Sequence, residues 1–183
     1  NSKDMCLLEH IDQVIASGVD SLKIEGRMKS VHYVASVVKA YRAAIDAYFA
    51  DPEGFVVQPA WVAELDKVSH RAYTTGFYFH KPDSADQIYG KSSYEQTSDF
   101  IGLVLAYDAE TGYATVEQRN NMKCGQEIEV FQPQGRLFRQ EITEMLDEDG
   151  GRITVAPHAQ QIIKMRMAQP VEAYAILRRD SKE

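Results

Sequence analysis

Cysteine and tryptophan are scarce in this chain of 183 residues, with two of the first and one of the second. Two cysteines, Cys6 and Cys124, cannot staple a disulfide scaffold, and a chain of this length does not need one. No apolar run approaches the ~20 residues that cross a bilayer as a helix, so a helical membrane protein is excluded and no membrane partner is expected. Basic charge is in deficit: Lys plus Arg number 20 against 27 for Asp plus Glu, a net charge of −7. That balance argues against a bulk nucleic-acid coat, although a local basic patch stays open. The start, Asn1-Ser2-Lys3-Asp4, lacks the apolar stretch of a secretory signal, so the cytoplasm is the expected compartment. Motifs of a serine nucleophile, a phosphate-binding Walker loop or a dinucleotide fold are missing. An opening Met is missing as well, and we expect a piece of a longer protein.

What is present falls into two parts. Leu7, Leu8, Ile11, Val14 and Ile15 recur at helical spacing, with Gly18 where a C-terminal cap belongs. Residues 19–25, Val-Asp-Ser-Leu-Lys-Ile-Glu, alternate with period two and predict a short strand. After the turn Gly26-Arg27-Met28-Lys29, Ser30 is a candidate N-cap for the clearest helix. Its apolar stripe is Val31, Val34, Val38, Tyr41, Ile45 and Tyr48, and Asp51-Pro52 stops it. A further helix is expected between Pro59 and His70. Strand, loop and helix in this order are the unit of an α/β barrel or a doubly wound sheet. One strand cannot form a sheet, so its neighbours are expected upstream.

Residues 73–97 read as an irregular linker, with Gly76, Pro82, Gly90 and the polar run Lys91-Ser92-Ser93. Beyond them, turn signals at short intervals bound about seven strands: 100–107, 113–118, 127–131, 137–143, 153–156, 162–167 and 173–177. The pattern predicts a small all-β barrel or sandwich. The expected fold class is therefore α/β, mostly helical in residues 1–93, followed by an all-β domain over 94–183. The first part carries 10 basic and 12 acidic residues and the second 10 and 15, so the β domain is not an obvious polyanion binder.

The densest polar cluster is Lys23, Glu25, Arg27 and Lys29, at the C-terminal end of the predicted strand. In α/β folds that end carries the active site, and Arg27 suits forked recognition of a carboxylate or phosphate. An ion-paired rim that only shapes the loop is the competing reading. Cys6 and His10 are four apart and share a face of the predicted first helix, which is compatible with metal ligation. Two ligands do not make a site, and a packed thiol is the plainer reading. Cys124 lies in a turn without a partner. In the stretch 69–79, aromatic residues gather around Gly76 beside His70 and Arg71. They can stack on RNA bases or wedge the linker onto the barrel, and pattern alone favours the packing role.

Taken together, Asn1-Ser2-Lys3-Asp4-Met5-Cys6, the string from Asp20 through Lys-Ile-Glu-Gly-Arg-Met-Lys to Ser30, Tyr41–Asp46 and Tyr73–Phe77 resemble the peptidase U32 family, the collagenase-like proteases. They are most similar to its prephenate-dependent tRNA uridine hydroxylase branch. The resemblance covers the whole chain. It implies the closing part of a TIM-like α/β barrel, partnered by an upstream barrel domain of the same chain, plus a small C-terminal β-barrel as an accessory substrate-binding domain. It implies tRNA as partner, a peptide substrate as the alternative, and a non-catalytic binding module as a further one. Lys23, Glu25 and Arg27 would then be catalytic, with Lys29, His70 and Arg71 binding substrate. In related ubiquinone hydroxylases four cysteines hold an iron–sulfur cluster, and Cys6 falls where the last of the four belongs. The other three would lie upstream, so residues 1–183 alone are expected to hold no cofactor and to be inactive.

Overall fold

A computed structural model describes residues 1–89 and 94–181. It divides into two compact units, Asn1–Thr97 and Ser98–Glu183. The run Lys91-Ser92-Ser93, expected as linker, lies outside the described residues.

The first unit is built on a short parallel pair, β1 (Asp4–Met5) and β2 (Tyr73–Thr74), with Asp4 opposite Tyr73. Between them run a 3-10 turn at Leu8–His10 and three helices, α1 (Ile11–Ala16), α2 (Val31–Ala50) and α3 (Pro59–Leu65). Ser30 caps α2 by accepting the Tyr33 amide at 3.2 Å. Pro59 opens α3, where its missing N–H costs nothing. The core joins Leu7, Leu8, Ile11 and Val14 to Val37, Ala40 and Ala44 of α2 and to Leu65 and Val68. The buried face of α2 thus matches the expected stripe only in part, with Tyr41 and Ile45 packed against this core. Val31, Val34 and Val38 are exposed, and Ser36 faces α3 instead, donating to Glu64 at 2.8 Å.

Three expectations for this unit are corrected. Most of the described residues of 1–97 lie outside helices, because 17–30, 51–58 and 66–89 carry no 3.6-residue period. Residues 19–25 form no strand: an alternating pattern becomes one only when its amides and carbonyls find a ladder, and none of the described residues supplies it. The first helix starts at Ile11, so Cys6 precedes it and does not share a helical face with His10.

The second unit holds ten antiparallel strands, numbered in chain order, in a curled eight-stranded sheet and a separate pair. They are β3 (Ser98–Asp108), β4 (Tyr113–Gln118), β5 (Met122–Lys123), β6 (Glu127–Phe131), β7 (Phe138–Glu141), β8 (Met145–Leu146), β9 (Arg152–Ile153), β10 (Val155–Ala156), β11 (Ile162–Arg166) and β12 (Ile176–Asp180). Eight form one sheet in the order β7-β6-β12-β3-β4-β11-β8-β9, and β5 pairs with β10. The sheet's outer strands, β7 and β9, are not paired with each other in this order, so it is a partly closed barrel. Alternation places Ala114, Val116, Ile163 and Met165 inside with Ile101, Val104, Ile128, Val130 and Leu177. The β3–β4 hairpin is closed by Asp108, whose carboxylate accepts the Glu110 amide at 2.9 Å and the Thr111 hydroxyl at 2.6 Å.

The last strand, expected at 173–177, is shifted three residues onward. Its charged end misleads a hydropathy reading, because Arg178 is fully buried, its guanidinium 2.6 Å from Glu129 and 4.5 Å from the Phe131 ring centre. Removing one partner of a buried pair strands the other charge. Glu129→Ala should therefore destabilise this unit by about 3–5 kcal/mol in urea denaturation, whereas replacing Glu129 and Arg178 together with Leu and Met should cost much less. Equal losses in the single and double variants would contradict the pairing.

Candidate functional site

Parallel strands end on the same side, so the residues after β1 and after β2 share one edge. The Asp4 amide donates to Ala72 O at 3.0 Å and the Cys6 amide to Thr74 O at 2.9 Å, which carries the ladder past the last paired residues. Open α/β sheets place ligands outside the carboxyl ends of their strands. Here that edge holds Cys6 and the loop that starts at Thr75.

Asp4 locks the pair. Its carboxylate accepts the Arg71 amide at 3.0 Å and Nε at 2.9 Å, with Nη2 at 2.8 Å. Burial pushes the Asp4 carboxyl up, but the backbone and side-chain hydrogen bonds of Arg71, with its charge and that of Lys29, outweigh this and hold it below its ordinary value. Lys29 donates to Ser69 O at 2.8 Å and lies 4.3 Å from the Tyr94 ring centre and 5.2 Å from that of Tyr33. The Arg71 guanidinium faces the same Tyr94 ring at 6.0 Å. His70 is buried, stacked on Tyr73 at 4.4 Å, and its Nδ1 donates to Arg71 O at 2.9 Å because a carbonyl can only accept. Lys29, His70 and Arg71 are therefore brought together, with their polar groups occupied by protein partners.

Cys6 borders a cleft of about 120 Å³ lined by Leu8, Glu9, Val62, Leu65 and Tyr73–Thr75. Its Sγ lies 3.7 Å from the Tyr41 hydroxyl, which accepts the Leu7 amide at 3.0 Å and so can turn its own proton toward sulfur. Burial raises the Tyr41 and Tyr73 phenols above their ordinary range, so both remain donors at neutral pH. Among the described residues no three His, Cys, Asp or Glu side chains cluster as a metal site. Cys124 belongs to the second unit, its Sγ directed to Ile153 O at 3.7 Å.

Lys23, Glu25 and Arg27 stand apart from this group. All three are exposed, and Glu25 Oε1 accepts the Arg27 amide at 2.9 Å, which tightens the turn. Gly26 leaves little room there: a Cβ would come 3.1 Å from the Val34 side chain and 3.4 Å from that of Tyr33. Tyr33 connects the turn to the edge: burial first, then the charges of Asp4, Cys6 and Glu25, raise its phenol.

The loop after β2 hangs on Asp86. Its Oδ1 accepts the Thr74 hydroxyl at 2.7 Å, and its Oδ2 lies 2.9 Å from His80 Nε2 and accepts the Asp83 amide at 3.0 Å. Sequence reasoning passed over Asp4, Tyr33, Tyr94 and Asp86. Only the capping box of Asp83 and Asp86 left a local signal.

An α/β unit with a parallel-strand edge, followed by a curled antiparallel barrel, is the class this chain defines. Residues 1–88 match peptidase family U32 and residues 96–178 the peptidase family U32 C-terminal domain. The chain belongs to the U32 family. It is 45% identical over 177 residues to tRNA hydroxylation protein P1 of Bacillus subtilis, covering 97% of this chain and 42% of that protein. It is 32% identical over 183 residues to tRNA hydroxylation protein P of Haemophilus influenzae, covering 98% of this chain and 39% of that protein. A crystal structure of the C-terminal domain of a Geobacillus thermoleovorans U32-family protein is 44% identical, covers 44% of this chain and 99% of that one, and superposes with a TM-score of 0.43. The chain thus spans about two fifths of the length of these curated relatives.

Hydrogen bonds from Thr74 and His80 and the Asp83 amide hold the Asp86 carboxyl at about 2, well below the usual carboxylate range. A depressed carboxyl stabilises the folded loop fully above its unfolded value, and the contribution disappears as pH falls through the folded one. Amide exchange of residues 83–87 should therefore accelerate between about pH 4 and pH 2, and Asp86→Asn should remove that dependence. An unchanged profile in the variant would contradict the assignment.

Proposed function

We propose that the longer protein to which these residues belong is a tRNA-modifying enzyme that hydroxylates a wobble uridine with prephenate as donor. The observation that carries this reading is identity of 45% and 32%, over nearly the whole chain, to proteins named for tRNA hydroxylation. The second unit serves in it as an accessory substrate-binding domain, and the cytoplasm is the compartment. Residues 1–97 belong to a larger TIM-like α/β domain. This is supported by the unpaired extended segment 19–25 and by the exposed Val31, Val34 and Val38 of α2. Alone, these residues are not expected to catalyse.

Roles at the edge follow from which groups are occupied. Arg71, Lys29 and His70 hold the substrate side in shape through Asp4, Ser69 and Tyr73. Lys23 and Arg27 have exposed cationic ends, and Arg27 is the group we assign to a carboxylate of the donor or a phosphate of the RNA. Glu25 fixes the turn that presents it. Cys6 supplies one thiolate of an iron–sulfur cluster. A cluster takes about four ligands, so the others come from outside these residues, and the group supplies electron transfer when bound. For the peptidase reading, Cys6 and His10 do not form a nucleophile–base pair with each other: the Cys6 thiol meets Tyr41 and the His10 ring meets Gln13.

Nucleoside mass spectrometry of tRNA from cells lacking the full-length gene tests the reading. Hydroxylated uridine should vanish and return with the wild-type gene. Arg27→Lys, which keeps the charge and loses the fork, should return about ten- to a hundredfold less at normal protein abundance. Unchanged tRNA in the deletion, with altered peptide turnover, would favour the peptidase; wild-type levels with Arg27→Lys would retire that residue.

A further inference from the structure

Three successive aromatic residues follow β2 at the same edge as Cys6. Phe77, Tyr78 and Phe79 are 85%, 59% and 49% exposed. Among the described residues only Phe79 has a ring partner, yet the backbone that carries all three is firmly built. Gly76, at φ +62°, makes the bend, its amide donates to the Thr74 hydroxyl at 3.2 Å, and that hydroxyl donates on to Asp86. A Cβ on Gly76 would sit 3.1 Å from the Met5 sulfur, so the bend is pressed against β1. The Tyr78 amide returns to Thr75 O at 3.4 Å, and His80 closes the loop on Asp86. Phe79 rests against the His10 ring at 4.4 Å. A loop with this many anchors is not exposing apolar rings because it is loose.

We propose that Phe77, Tyr78 and Phe79 form a stacking platform for unpaired bases of an RNA loop. The proposal rests on the tRNA reading and names the surface that holds the substrate. Magnitudes separate RNA from a protein partner. Three rings of roughly 200 Å² each supply about 600 Å², so a protein partner would need further surface beyond them to reach the ~800 Å² per partner of a standard interface. An unpaired base, by contrast, needs one π-face, and single-stranded RNA is read by such rings. Flanking charge is mixed: His10 and His80 border the rings and the exposed Lys81 follows, while the carboxylates of Asp83 and Asp86 are turned onto the loop's own amides and onto His80. The position fits the chemistry, because a base held here lies at the carboxyl-end edge that also carries Cys6.

The test measures binding of a fluorescent RNA hairpin with a seven-nucleotide loop, and of a fully paired duplex of the same length, to the full-length protein. The wild type should prefer the hairpin. Phe77→Leu, which keeps an apolar side chain but no ring face, should weaken hairpin binding about 5- to 150-fold, with an unchanged melting temperature. Phe77→Trp should retain it, and the slope of affinity against salt should not move, since no charge is lost. Wild-type hairpin affinity in Phe77→Leu overturns the platform while leaving the tRNA reading intact. If Phe77→Leu also keeps hydroxylated tRNA in cells and Phe77→Ser does not, the loop docks an apolar protein segment instead. A wild-type protein that binds neither RNA overturns the tRNA reading and the platform with it.

Discussion

The contact between Asp4 and Arg71 is the constraint on which the first unit depends. Two strands of two residues each cannot hold a ladder by themselves in water. Arg71 supplies what the ladder lacks, with two side-chain contacts and one amide on a single carboxylate. Such a pair, neither fully exposed nor fully buried, falls between the ~0–1 kcal/mol of a surface pair and the 3–5 kcal/mol lost when a buried one is broken. Everything assigned to the edge is positioned by it: Cys6 through its amide on Thr74 O, the aromatic loop through Gly76, and Lys29 through the carbonyl of Ser69.

The two units solve the problem of buried charge in different ways. In the first, Asp4, Arg71 and Lys29 keep part of their surface in water and use tyrosine rings as a second partner, so the cations are held without being sealed. In the second, Arg178 is sealed completely and Glu129 is its counter-ion, with Arg139 reaching the same carboxylate from the surface at 3.5 Å. Sealing costs desolvation and fixes both side chains, whereas partial exposure leaves the cations of the first unit partly hydrated.

Local signals in the sequence were read where local physics decides. The Ser30 cap and the run to Ala50, the Pro59 start and the alternation of β4 all rest on neighbours within a few residues. Residues 19–25 were misread because a strand is a property of two segments, and β12 because Arg178 finds its partner 49 residues away. At the site, Lys29 was legible from the polar run after residue 22 and His70 and Arg71 from the aromatic stretch 69–79, while Cys6 entered through the family resemblance; nothing local joined the four. Asp4 lies 67 residues from Arg71, so no spacing rule connects them. The protein contacts of Lys29 and His70, with Ser69, Tyr94 and Tyr73, likewise become visible only once the chain has folded.

Native-state hydrogen exchange in Arg71→Ala tests the central dependence most directly. If the Asp4 contact holds the edge, the amides of Asp4, Cys6 and Gly76 lose protection together while those of β4, β6 and β12 keep theirs. Protection at Asp4 and Cys6 equal to that of the wild-type protein would show that the strand pair stands without the contact.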